Sequence, residues 1–430
     1  IMGRVSDLYG RRPVFLICLA LFVVGSVWAA LATSLWPMVA ARVVQALGGG
    51  AMVPVALAAI SDAVPVARRP LAIGMIAAVD TAGWVAGPTY GAWLTTWLGW
   101  RWVFWLNVPI GLIAALLVAV ALPRSERTRH RLDLVGGALL TLFLLAFTTA
   151  LYLGAPASPE GGALLANSGT TERSPWFWPL LGLSVLMLAA FAWRERRAAE
   201  PLIAPRLLVG RLFASAHSVS LLTGIILMAV MVEIPVLLQA LSPTIEEAIA
   251  ASGWLLGVFA GSMMAGALGA GPLQRFIGPR WLTLGGLLLS IGGLWQMAAW
   301  QQPRGADALY LPLALAGLGL GLVTTAIASA ILGYVAEEQR GIAASLLLVA
   351  RLIGMTLGLS VLVTWALRRF EALRAQVPPP PGGLGDPNAL AYITQKIGEI
   401  MTIVVTDLFL VTAVVAVVAV VPALALSAKR

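Results

Sequence analysis

Residues 73–93 read IGMIAAVDTAGWVAGPTYGAW. Asp80 is the one charged residue in this stretch, and everything around it is apolar, small or aromatic. On a helix, Gly83, Gly87 and Gly91 fall four apart and make a smooth stripe along one face, and Pro88 can kink that helix. A helix of about 20 such residues crosses a bilayer core of roughly 30 Å. The same texture recurs along the chain. Twelve runs of this kind cover 14–33, 36–60, 71–96, 102–122, 134–153, 176–193, 212–239, 250–271, 281–300, 309–333, 342–367 and 403–426. Backbone groups in lipid must be bonded within their own segment, so each run is expected to be helical. The alternation of a membrane β-barrel is absent.

The composition agrees. Of 430 residues, 60% are hydrophobic and 11% charged, with a mean hydropathy of +0.92. A soluble domain carries about 25% charged residues, so a soluble enzyme is excluded, as is a disordered chain. Twenty-eight basic residues against 19 acidic ones give a net charge of +9. These cations sit in short gaps between apolar runs, a membrane pattern and not a nucleic-acid surface. With the N-terminus inside, nineteen of the 28 cations fall on the inner side and seven on the outer side, while Arg42 and Arg351 lie within runs. Both termini are therefore expected to be cytoplasmic. The lone cysteine, Cys18, and the two histidines, His130 and His217, exclude a disulfide framework and make a metal centre or cofactor unexpected. A membrane-bound acyltransferase or hydrolase would need a convergent nucleophile and base. His130 falls in a basic loop and His217 at a helix start, so neither suits that role.

Several local patterns stand out. Gly3-Arg4-Val5-Ser6-Asp7-Leu8-Tyr9-Gly10-Arg11-Arg12 opens the chain as a tight turn ahead of a helix, with Asp7 able to pair with arginines in a breakable latch. Arg42 lies about six residues inside an apolar run, where a charge is costly and marks function by default. Gly48, Gly49 and Gly50 follow it and allow close helix approach. Asp80-x-x-Gly83-x-x-x-Gly87 matches Arg351-x-x-Gly354-x-x-x-Gly358, each charge nine residues into its run and about 14 Å deep. Gly271 to Arg280 repeats the opening turn, with Arg275 where Asp7 stands. Glu233, in MVEIP, is a further acid within a run. Acids held away from water can load and empty a proton as access changes, which makes Asp80 and Glu233 the candidate carriers.

Read together, Gly3, Asp7, Gly10, Arg11 and Arg12 resemble the signature loop of the major facilitator superfamily, and the Arg42 stretch resembles that family's fourth-helix motif. Gly74, Gly83, Gly87, Pro88 and Gly91 resemble the antiporter motif on the fifth helix of proton-coupled exporters. Residues 100–111, WRWVFWLNVPIG, are similar to a stretch of the fourteen-helix drug:proton antiporter branch. Residues 80–92, 253–256, 349–355 and 398–400 resemble mycobacterial-type lipid exporters, implicated in triacylglyceride export beside a periplasmic lipoprotein. The segment 301–308 is shorter than in those relatives, which sets hairpin-dependent lipid handling in question.

The resemblance implies an all-α membrane protein with the major facilitator fold: two pseudo-symmetric bundles plus two extra helices, twelve transmembrane helices being present. Residues 1–122 would be the remainder of the N-terminal bundle, with four helices. Residues 123–211 would hold two extra helices and a cytoplasmic linker, and 212–430 the C-terminal six-helix bundle. On this alignment two further helices would precede Ile1. The implied function is export of a hydrophobic or amphipathic drug or lipid by proton antiport with alternating access. Asp80, Arg42, Arg351 and Glu233 would serve proton coupling, Asp80 and Arg351 facing each other across a central cavity. The expected location is the bacterial plasma membrane, and the expected partners are the bilayer, protons, a small lipidic substrate and a periplasmic lipoprotein. The alternative is a truncated, inactive or accessory membrane subunit.

Overall fold

The structure is a computed structural model that describes residues 2–63, 65, 79, 83, 87, 90–91, 93–122, 133–154, 174–197, 210–242, 244–300, 306–335, 340–380 and 389–426. No strand occurs among them. The helices are α1 (Met2–Tyr9), α2 (Arg11–Leu31), α3 (Leu35–Ala63), α4 (Trp102–Trp105), α5 (Asn107–Ala121), α6 (Leu134–Gly154) and α7 (Phe177–Arg197). They continue as α8 (Arg211–Leu241), α9 (Ile245–Ala298), α10 (Tyr310–Tyr334), α11 (Arg340–Arg374) and α12 (Ala389–Leu424). Residues 93–98 are also helical. Ten described segments are long and apolar enough to cross a membrane. Of the other two expected runs, 36–60 lies within α3, and most of 71–96 lies outside the described residues.

The chain divides into two compact units, residues 1–133 with 335–345, and 134–334 with 346–430. In the first, α2 packs on α3, α4 and α5, and α1 rests on α2 and α3. The two long helices meet closely because Gly25 faces the backbone of Gln45 and Gly48 faces the backbone of Cys18 and Phe22, leaving no room for a side chain at either glycine. The opposite side of α5 presents Ile110, Leu112, Ile113, Leu116, Leu117 and Val120 outward. Such a face suits acyl chains and no aqueous solvent.

In the second unit α6 packs on α7, while α8, α9, α10 and α12 pack on one another. At 54 residues and about 1.5 Å per residue, α9 would run about 81 Å if straight, far more than one bilayer crossing. It is two limbs joined at Gly278, whose φ of 71° and ψ of 162° break the helix ahead of Pro279. Thr244 caps the first limb, its hydroxyl accepting from the Glu247 amide at 3.2 Å, with Glu246 and Glu247 in the positive first turn. At the other polarity, α7 ends on Arg194, Arg196 and Arg197.

The opening motif is less a turn than a helix, a hinge and a second helix. α1 and α2 are separated by Gly10, which has φ 95° and ψ 139°. Gly278, the position matching Gly10 in the repeated motif, also has positive φ, and the third such glycine among the described residues is Gly99. The internal repeat read from sequence thus has a backbone counterpart at its hinge.

Candidate functional site

Arg42 belongs to the first unit and Glu233 and Arg351 to the second, and their surroundings are built differently. In the first unit Arg42 stands on α3 with its guanidinium tied to a hydrogen-bonded chain. Its Nη1 donates to Gln45 Oε1 at 2.6 Å, Gln45 Nε2 donates to Ser26 Oγ at 2.7 Å, and Ser26 Oγ donates to the Phe22 carbonyl at 2.8 Å. Gln45 is 5% exposed and Ser26 fully buried, so the chain runs through the α2–α3 interface. Gly25 lets Gln45 enter there. The guanidinium also lies 5.6 Å from the Phe104 ring centroid. A residue three positions on shares the helix face, so Gln45 was a readable partner; Ser26 gave no such signal.

In the second unit Glu233 sits on α8 and is 2% exposed. Its Oε1 accepts from Thr412 Oγ1 on α12 at 3.1 Å, while its Oε2 is buried with no hydrogen-bond partner among the described residues. The same Thr412 hydroxyl lies 2.9 Å from the Leu408 carbonyl. A hydroxyl has one proton, so it can satisfy only one of these acceptors at a time. A protonated Glu233 could donate to Thr412 Oγ1 and leave the hydroxyl to Leu408, whereas an ionised Glu233 must draw it away. The Thr412 hydroxyl thus ties this acid of α8 to the backbone of α12. Two residues on, Pro235 lies inside α8 and withholds the amide that would bond the Met231 carbonyl.

Arg351 is half-buried on α11, in the same unit. Its own carbonyl meets Gly224 of α8, and Gly354 and Gly358 meet the backbone of Leu221 and Ile225. Ser220 strengthens this contact by donating to the Leu347 carbonyl at 2.8 Å. Asp407, by contrast, forms an exposed pair with Arg369 at 2.9 Å. Gly83, Gly87 and Gly91 are helical but meet no described atom within 4 Å of a side chain's first carbon. Asp80, Gly74 and Pro88 lie outside the described residues, and of Gly3 and Asp7 only the helical backbone is described. Arg11 and Arg12, after the Gly10 hinge, are half-buried. Among the described residues no cluster of three His, Cys, Asp or Glu could hold a metal ion.

Ten described helices long and apolar enough to cross a bilayer make this a polytopic membrane protein. The sequence pattern of the Major Facilitator Superfamily matches residues 1–359, and the chain belongs to that family. It is 37% identical over 434 residues to a triacylglyceride transporter of Mycolicibacterium hassiacum, covering 94% of this chain and 78% of that protein. It is 34% identical over 453 residues to a triacylglyceride transporter of Mycobacterium tuberculosis, covering 100% of this chain and 84% of that one. Among solved structures it resembles the human organic anion transporter MFSD10, with a TM-score of 0.56 at 18% identity over 96% of this chain and 79% of that one. A bacterial homolog of the lysosomal transporter Spinster gives a TM-score of 0.55 at 19% identity over 98% of this chain and 86% of that one. At these identities the structures speak for the fold alone.

Proposed function

We propose that this transporter exports a hydrophobic or amphipathic compound, in the first place a lipid, in exchange for protons by alternating access. The observation that carries the reading is Glu233, a buried carboxyl with one oxygen bonded across helices and the other unbonded among the described residues. A group of this kind costs several kcal/mol to keep charged away from water, so a chain that places one inside a bundle has a use for its change of charge. The lipid substrate rests on the relatives, which are named triacylglyceride transporters. In this reading Asp80 is the second proton carrier, and Arg42 and Arg351 are the fixed cations that bias proton release. The termini lie in the cytoplasm of a bacterial cell, and a periplasmic lipoprotein receives the exported lipid.

Reconstitution into vesicles tests this. With a fluorescent triacylglyceride supplied at the cytoplasmic face of reconstituted vesicles, a pH gradient acid on the opposite side is expected to accelerate transfer by the wild type. Glu233→Gln and Asp80→Asn are expected to remove that acceleration while the protein still inserts. Transfer equal with and without the gradient in the wild type would end the proton reading and leave the lipid reading standing.

A further inference from the structure

We propose that the aromatic pocket around Arg101 is a binding site for the phosphate of a membrane glycerophospholipid, in the leaflet opposite Arg11 and Arg12. The pocket has a volume of about 570 Å³ and is lined by Leu98, Trp100, Arg101, Trp102, Trp105 and Pro109, among others. Its place in the bilayer follows from α2. Arg11 and Arg12 begin that helix, its 21 residues span about 31 Å, and Arg101 Nη2 reaches the carbonyl of Ala32 just past its other end, at 3.5 Å. The pocket therefore sits at the far surface from the basic hinge.

Three features point to a phosphate. Seven arginines and no lysine occur up to residue 122. Arg4, Arg11, Arg12, Arg68 and Arg69 flank apolar runs on the side expected to be inner and Arg42 lies within a run, which leaves Arg101 as the one arginine of this stretch on the side where cations are depleted. Its guanidinium lies 4.4 Å from the Trp100 ring centroid, a cation–π contact that holds the charged head beside the pocket. The long contact to Ala32 uses one of five N–H donors. A phosphate oxygen pair is the natural acceptor for such a fork. Around it the indoles of Trp100, Trp102 and Trp105 match the ester level of a bilayer, and Leu98, Val108 and Pro109 offer apolar surface to the first methylenes of the acyl chains. Gly99, at φ 89°, makes the turn that brings Trp100 and Arg101 to the mouth of the pocket.

The phosphate site does not rest on proton coupling, so either reading can fail without the other. Native mass spectrometry of the full chain in detergent, with phosphatidylglycerol titrated against uncharged diacylglycerol of the same acyl chains, tests it. One tightly held phosphatidylglycerol is expected, with affinity falling about tenfold or more in Arg101→Gln. Arg101→Lys, which keeps the charge and the fold but not the planar fork, is expected to fall between the two. Inorganic phosphate is expected not to displace the lipid. Equal phosphatidylglycerol occupancy in wild type and either variant, or diacylglycerol bound as tightly, would falsify the phosphate site and leave ordinary lipid contact. Displacement by inorganic phosphate would make it a site for a free anion instead.

Discussion

At the scale of single residues, Glu233 and Arg42 show two ways of placing an ionisable side chain on a membrane-length helix. Arg42 is exposed among the described residues and steered by a neutral chain through Gln45 and Ser26. Glu233 is buried and has one neutral partner, Thr412. Thr412→Val keeps the shape but strands Glu233 Oε1, and is expected to lower stability by about 1–3 kcal/mol, read as a fall in unfolding temperature in detergent. Glu233→Gln can bond Thr412 without ionising, so its stability is expected to stay near wild type while the pH dependence of transport flattens. An unchanged pH profile in that variant would place proton coupling elsewhere. For Arg42, Arg42→Lys and Gln45→Leu are expected to shift the pH profile in the same sense, because one loses the fork and the other its guide. Should Gln45→Leu behave as wild type, the hydrogen-bonded chain has only a packing role. Both charged residues were legible in sequence, since a charge inside an apolar run is conspicuous. Thr412 was not, because a threonine in a membrane helix is unremarkable and its partner lies 179 positions away.

At the scale of elements, glycine placement decides which helices touch. Gly317 and Gly321 of α10 press on the backbone of Phe259 and Met263 in the first limb of α9, while Gly319 presses on Gly286 and Ser290 in the second. Ser290 Oγ lies within bonding distance of the carbonyls of Gly286 and Ala316, at 3.1 and 3.2 Å. The three helical segments are thereby clamped by small residues, the usual means of helix association where lipid supplies no hydrophobic drive. Gly321→Ala is expected to destabilise by about 1–3 kcal/mol, since the added methyl meets a carbonyl oxygen. Gly333→Ala, on the same helix with open space around it, is expected to be neutral or slightly stabilising. Equal melting temperatures for the two would show the α9–α10 contact to be looser than described. The hinge glycines differ in kind. Gly10→Ala forces positive φ on a side chain and is expected to cost about 1–2 kcal/mol. Asp7→Asn is expected to slow transport while leaving the protein in the membrane, if the segment before that hinge latches one state; normal turnover would remove the latch.

At the scale of the whole molecule, orientation is open to a direct measurement. The chain has one cysteine, Cys18, and it is 1% exposed, so added cysteines can be read against a silent background. Gln376→Cys, in the exposed turn after α11, is expected to react with a membrane-impermeant maleimide in intact cells. Arg196→Cys, in the last turn of α7, is expected to react only after lysis. The reverse pattern would turn the protein over and put both termini outside.

The sequence by itself determined the class of molecule. Bilayer thickness imposes a length on each apolar run, and unbonded backbone in lipid is too costly for any run to be other than helical. It also marked the internal repeat, because glycines and charges recur at matched spacing, and the hinges at Gly10 and Gly278 carry the same positive φ. What it could not reach was which faces meet. Helices in lipid associate through local shape, which is scarcely visible in a string of interchangeable apolar residues. The glycine stripes of Asp80-x-x-Gly83 and Arg351-x-x-Gly354 look alike as text, yet it took the fold to seat Gly354 and Gly358 on α8. Only the tertiary structure brought Thr412 to Glu233 and Ser26 to Gln45, because each contact joins positions far apart in the chain through the close approach of two helices.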